Sequence, residues 1–136
     1  VEWMHRSLAK MAECGVDALV AELEPKLDAS PNGLGSLEML PHYEEVRPFV
    51  SQVYSAPKLT PGGDVICYVP LIDYDRWGMM EELEWDKFVR FGRGSVILRC
   101  LELDRLSKQQ HRMAKCKMLL DLADTSVDGL SHKSFD

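Results

Sequence analysis

The sequence predicts an α/β fold in which a helical N-terminal region leads into the first βαβ unit of a mostly parallel sheet. Three observations carry this. Apolar residues recur at helical spacing through the first half of the chain. Val65-Ile66-Cys67-Tyr68-Val69 is an uncharged, β-branched and aromatic run ended by Pro70. A long helical stretch then separates it from a second apolar run near Met118-Leu119-Leu120. A crossover of that length joins parallel strands in the right-handed sense.

The elements follow in order. Residues 2–14 form an amphipathic helix, with Trp3, Leu8, Met11 and Ala12 at helical spacing and Gly15 as its stop. Val16 to Leu27 makes a second, short helix with Val16, Leu19, Val20 and Leu23 on one side, and Pro25 disturbs its end. Asp28 to Gly33 is turn chemistry, extended by Gly35. Beyond Pro41, Tyr43, Val46, Phe49, Val50 and Val53 form a stripe that Pro48 must kink or break. Residues 57–64 read as a loop whose tight Pro61-Gly62-Gly63-Asp64 turn launches the strand at 65–69, expected to be buried on both faces.

Asp75 to Leu83 predicts a short helix capped by Asp75, with Met79, Met80 and Leu83 facing inward. From Glu84 to about Gln109 a long helix is expected, with Trp85, Val89, Val96, Cys100 and Leu103 in one line and Phe88, Ile97 and Leu101 beside it. Gly92 and Gly94 interrupt that helix at about 1 kcal/mol each, so a close approach or a bend is expected there. Ala114 to Leu122 is the second strand, and Asp124 to Gly129 close it with turn residues. The domain division is therefore 1–58, helical, and 59–136, the start of the α/β part. Two parallel strands leave a sheet unfinished, so the sheet is expected to be cut short, with more strands beyond Asp136 or from a partner. The start at Val1 points the same way.

Composition narrows the function. The chain has 136 residues, 46% hydrophobic and 28% charged, which suits one modest globular domain. A net charge of -6 argues against a nucleic-acid partner, since phosphate contact needs a basic face. No apolar run approaches the ~20 residues of a membrane span. Cys14, Cys67, Cys100 and Cys116 stand singly, three of them in apolar surroundings, as core thiols of a cytoplasmic or other reducing compartment. If the chain is a fragment, a targeting peptide could precede Val1, which leaves organelle delivery open.

No catalytic motif is present. Gly92-Arg93-Gly94 lacks a third glycine and a preceding strand, and there is no P-loop, HExxH or GxSxG. His111 and Cys116 read as an exposed histidine and a core thiol rather than metal ligands. Asp121, Asp124 and Asp128 could bind a cation at the carboxyl end of a parallel strand, but turn and cap chemistry accounts for them. No enzymatic activity, metal or cofactor is expected.

The run from Leu59 to Val69 resembles the opening of a CRAL-TRIO lipid-binding domain, in which an aspartate- and glycine-containing turn leads into the first strand. Lys115 to Leu122, followed by Asp128-Gly129-Leu130-Ser131, is similar to that family's next strand and Gly-Leu-Ser-type turn. Residues 84–109 are similar to the helices between, and Gly15-Val16-Asp17 to the helical N-terminal part. Two departures stand out: the Pro-Gly-Gly-Asp form of the turn, and Asp124-Thr125-Ser126-Val127 as an insertion. The remaining strands, the gate helix and the headgroup residues would all follow Asp136. The resemblance implies non-enzymatic binding of a hydrophobic lipid ligand, for transfer or presentation, with peripheral membrane contact. By strand alternation Ile66 and Tyr68 share one face, as do Met118 and Leu120. These four are the candidate lipid-lining residues; alternation leaves open which face meets the ligand. The alternative is an accessory or scaffold subunit of a larger assembly, held by protein partners without lipid transfer.

Overall fold

A computed structural model describes residues 2–50, 58–70 and 76–123. The fold is broadly α/β: mostly helical, with a small three-stranded mixed sheet placed after the N-terminal helices. Helix α1 (Glu2–Glu13) turns at Gly15, which takes a left-handed φ of 68°, into α2 (Val16–Asp28). Leu19, Leu23 and Leu27 of α2 are buried, four residues apart on one face. A 3-10 turn at Leu37–Met39 precedes α3 (Tyr43–Val46), and a second 3-10 turn at Arg47–Phe49 carries the expected break at Pro48. Val53 of the predicted stripe lies outside the described residues, as does Asp75, the predicted cap.

Strand β1 (Lys58–Leu59), in the stretch read as loop, pairs antiparallel with β2 (Val65–Pro70). Two residues are too few to show an alternation, which is why β1 is invisible in the sequence. Helix α4 (Arg76–Glu82) follows, then the 26-residue α5 (Trp85–Gln110), and β3 (Cys116–Asp121) pairs parallel with β2 as expected. The strand order is β1-β2-β3, with β3 at one edge.

Helix α5 is the spine. On one side Phe91 and Leu98 join Leu23, Leu27, Leu40, Val46, Val50, Val69 and Met79. Further along, Leu106 joins Leu34, Val65, Cys67 and Ala114 under the sheet. Each fully buried aliphatic side chain here contributes ~1.5–3 kcal/mol relative to exposure.

Several expectations are corrected. The inward line of α5 is Phe91, Gly94, Leu98, Glu102 and Leu106. Of the predicted line, Trp85, Val96 and Cys100 are exposed and Val89 is half-buried, while Leu103 packs against the core under the sheet; the predicted flanking residues Phe88, Ile97 and Leu101 pack against the other core cluster. Met79 is buried and Leu83 half-buried, but Met80 is exposed, because consecutive residues stand about 100° apart on a helix. No residue of α1 is buried, so its apolar side is not core. Of the four cysteines only Cys67 is buried; Cys100 sits on the outer side of α5. Strand β2 is buried on one face only, through Val65, Cys67 and Val69.

The two helix glycines have different reasons. A Cβ on Gly94 would stand 3.0 Å from the Pro41 ring, so close approach explains that residue. A Cβ on Gly92 would meet nothing within 4 Å. Gly92→Ala is therefore expected to raise stability by about 1 kcal/mol through helix propensity, and Gly94→Ala to be the less stable of the two variants. Urea titrations of both would check this; equal midpoints would refute the packing account of Gly94.

Candidate functional site

The sheet divides its side chains by register. Val65 pairs with Cys116, Cys67 with Met118 and Val69 with Leu120, so these six share the face under which α5 and its neighbours pack. Ile66 pairs with Lys117 and Tyr68 with Leu119, forming the opposite face, which Asp121 continues on β3. The four candidate lipid-lining residues are thus not one surface. Ile66 and Tyr68 lie on the open face, while Met118 and Leu120 lie on the helix-side face beyond the cover of α5. Sequence alternation fixes sharing within a strand; only the interstrand register relates one strand to the other. Leu119, not among the four, is the β3 residue that joins Ile66 and Tyr68.

The open face is apolar and accessible. Ile66 is half-buried, Tyr68 is 39% exposed and Leu119 55% exposed. On the helix-side face Met118 and Leu120 are 57% and 54% exposed. Charged groups flank the open face at both ends. At its C-terminal end the Tyr68 hydroxyl donates to Asp121 Oδ2, and the Ala123 N–H donates to Asp121 Oδ1 at 2.9 Å. The Tyr68 hydroxyl, helped by that N–H, holds the Asp121 carboxyl below its ordinary value of 3.8.

At the N-terminal end the Thr60–Asp64 turn is tied to the end of α5. Gly63 takes φ +80°, and Gln110 Nε2 donates to its carbonyl at 2.9 Å. Arg112 donates to Asp64 Oδ1 at 2.9 Å and to the Gly62 carbonyl, and the Lys115 N–H reaches Asp64 Oδ1 at 3.3 Å. Lys117 Nζ stands 3.5 Å from Asp64 Oδ2. Arg112 foremost, then the Lys115 N–H, keep the Asp64 carboxyl below its ordinary value of 3.8. A lowered value means that this stabilisation is present above pH 3.8 and is lost as pH falls through the folded-state value. The cluster fixes where both strands begin; it presents no reactive group.

Under the helix-side face, Cys67 Sγ and Cys116 Sγ are 3.7 Å apart as free thiols. Burial pushes the Cys67 thiol up to about 11, which keeps it protonated and unreactive. Among the described residues no three metal-ligating side chains converge. Asp121 is described, but Asp124 and Asp128 lie outside the described residues. Among the described residues, too, no helix is long and apolar enough to cross a membrane.

A second apolar concavity, of about 560 Å³, lies between the α1–α2 corner and the outer side of α5. Met11, Val16, Val96 and Ile97 line it, with Lys10 and Arg93 on its wall. This is where part of the predicted α5 line goes: Val96 faces this groove rather than the core.

No family model, curated protein or solved structure matches the chain.

Proposed function

We propose that this chain binds a hydrophobic lipid ligand without enzymatic chemistry, for lipid transfer or presentation at membranes, using the open face of its sheet as part of the ligand's wall. The supporting observation is the adjacency of Ile66, Tyr68 and Leu119 on one accessible face, anchored at each end by the Asp64 and Asp121 groups. Burying a lipid chain against such a wall contributes ~25 cal/mol per Å² before ordering costs. The reading agrees with the CRAL-TRIO-like order of turn, strand, long helix and strand. It needs a mostly parallel sheet completed by strands outside 58–121. In this reading Met118 and Leu120 belong to the helix-side face and not to the ligand's wall.

The test is extraction of pyrene-labelled phosphatidylcholine from phosphatidylcholine vesicles, followed by loss of excimer emission. The chain is expected to extract the probe, and Leu119→Asp to lower extraction at least tenfold. Met118→Asp and Val96→Asp, on the helix-side face and in the α5 groove, are expected to leave it unchanged. No extraction by the unaltered chain would sink the lipid reading. Sensitivity at Val96 but not Leu119 would move the ligand to the groove.

The alternative, an accessory or scaffold subunit, is favoured by one specific observation. Among the described residues strand β3 is an edge strand with exposed apolar side chains on both faces, the form of edge that recruits another chain.

A further inference from the structure

Three properties of β3 determine what can cover it. It is an outer strand of the sheet, and among the described residues nothing pairs with its free edge. It exposes Met118, Leu119 and Leu120, with Leu122 just beyond its end. Its open face also carries a lysine and an aspartate symmetrically about a leucine: Lys117, Leu119, Asp121.

We propose that β3 pairs antiparallel with β3 of a second copy of this chain, about a two-fold axis passing through Leu119. In that register Lys117 lies opposite Asp121 of the second copy, twice by symmetry. Leu119 meets its own symmetry mate, Met118 meets Leu120, and Cys116 meets Leu122. Every pair joins residues of the same face, as the pleat requires; a slip by one residue would set helix-side Met118 against open-face Leu119. The next registers with matched faces are poorer. One places Leu119 against Asp121. The other places Lys117 against Leu119 and keeps an opposite-charge pair only between Asp121 and Lys115, which lies outside β3. Opposite charges directly across a strand pair are favourable, and like charges unfavourable.

Closure supports the same occupant. A two-fold pairing uses the same patch on both copies and stops at two, whereas head-to-tail addition of strands would continue. Among the described residues the product is a six-stranded sheet whose remaining edges are the two β1 strands. At two residues each, these are too short to recruit further chains. The dyad runs perpendicular to the sheet, so both open faces end on the same side. The pairing does not rest on the lipid reading, and it takes the β3 edge along which further strands of that reading would otherwise add.

The experiment is sedimentation velocity of the 136-residue chain across the micromolar range, with circular dichroism to confirm folding. A species of twice 15.5 kDa is expected. Lys117→Asp sets two carboxylates against each other at both symmetric positions and should weaken dimerisation at least tenfold. Asp121→Lys should do the same by opposing lysines. The double exchange Lys117→Asp with Asp121→Lys should restore the dimer to within a few-fold of the unaltered chain. A chain that stays monomeric at 100 µM or so would overturn the proposal, as would a dimer indifferent to the single reversals. A double exchange that stays as weak as the singles would equally overturn this register.

Discussion

Glu102→Ala is expected to destabilise the fold by about 3–5 kcal/mol, the usual consequence of removing one partner from a buried charged pair. Glu102 is 0% exposed and sits on the inward side of α5. Its carboxylate accepts the Gly35 N–H and pairs with Arg99, whose side chain is itself only 20% exposed. Alanine would leave a buried backbone N–H without an acceptor and a guanidinium without its counter-charge. The backbone at Gly35 is pressed so closely against α5 that a Cβ there would stand 2.6 Å from the Leu98 side chain. Water therefore has little room to replace the carboxylate. Against a typical total of 5–15 kcal/mol, the loss is a large fraction of the stability. Urea unfolding followed by tryptophan fluorescence would measure it; a cost below 1 kcal/mol would show that the pair is not buried as described.

The same residue has a pH signature. Burial pushes the Glu102 carboxyl above its ordinary value of 4.5, against the opposing pull of Arg99 and the Gly35 N–H. A carboxyl whose folded value is raised binds more protons in the native state, so its contribution is fully present below pH 4.5 and is lost as pH rises through the folded value. Glu102→Gln keeps an acceptor for Gly35 but cannot titrate. The stability difference between the unaltered chain and this variant should therefore shift toward the unaltered chain as pH is lowered from neutral to 4.5. A difference that is flat, or that moves the other way, would contradict the burial.

The second large effect separates two faces of one helix. Leu98→Ala is expected to cost about 2–5 kcal/mol, because it opens a cavity between α5, the Leu40 segment and α2. Val96→Ala, two residues earlier, should stay within about 0.5 kcal/mol, since Val96 is 63% exposed. Two residues are about 200° apart on a helix, so the pair reports the azimuth of α5 directly. Paired urea titrations decide it. A larger cost at Val96 would mean that the outer line, not the inner one, is the core.

That azimuth is the clearest case of what was not legible. The true inward line of α5 includes Gly94 and Glu102, a residue with no apolar side chain and one with a charge. Each breaks the pattern that hydrophobic periodicity detects. Gly94 is explained by Pro41 and Glu102 by Gly35, partners more than fifty residues away in the chain. The outer line of Trp85, Val89 and Val96 is apolar on either side of Gly92 and Arg93, but it faces grooves at the α1–α2 corner. The candidate site failed to assemble for a related reason. Ile66 with Tyr68, and Met118 with Leu120, were each rightly grouped by alternation. Yet the register Cys67 to Met118 places the two pairs on opposite faces and brings Leu119 to the first.

From the sequence alone came the α/β class, the helices at both ends of the first half, the break at Pro48, the strand at 65–69, a second strand within the predicted 114–122, and their parallel pairing. Those features depend on local periodicity, on proline and turn chemistry, and on the length of the crossover, all of which are written in consecutive residues. The tertiary structure alone decided the inward side of α5, the one-sided burial of β2, the strand β1 and the division of the sheet's side chains between its faces. These depend on which distant group fills a glycine's gap, satisfies a carboxylate or sets a strand's register, and no local period carries that information.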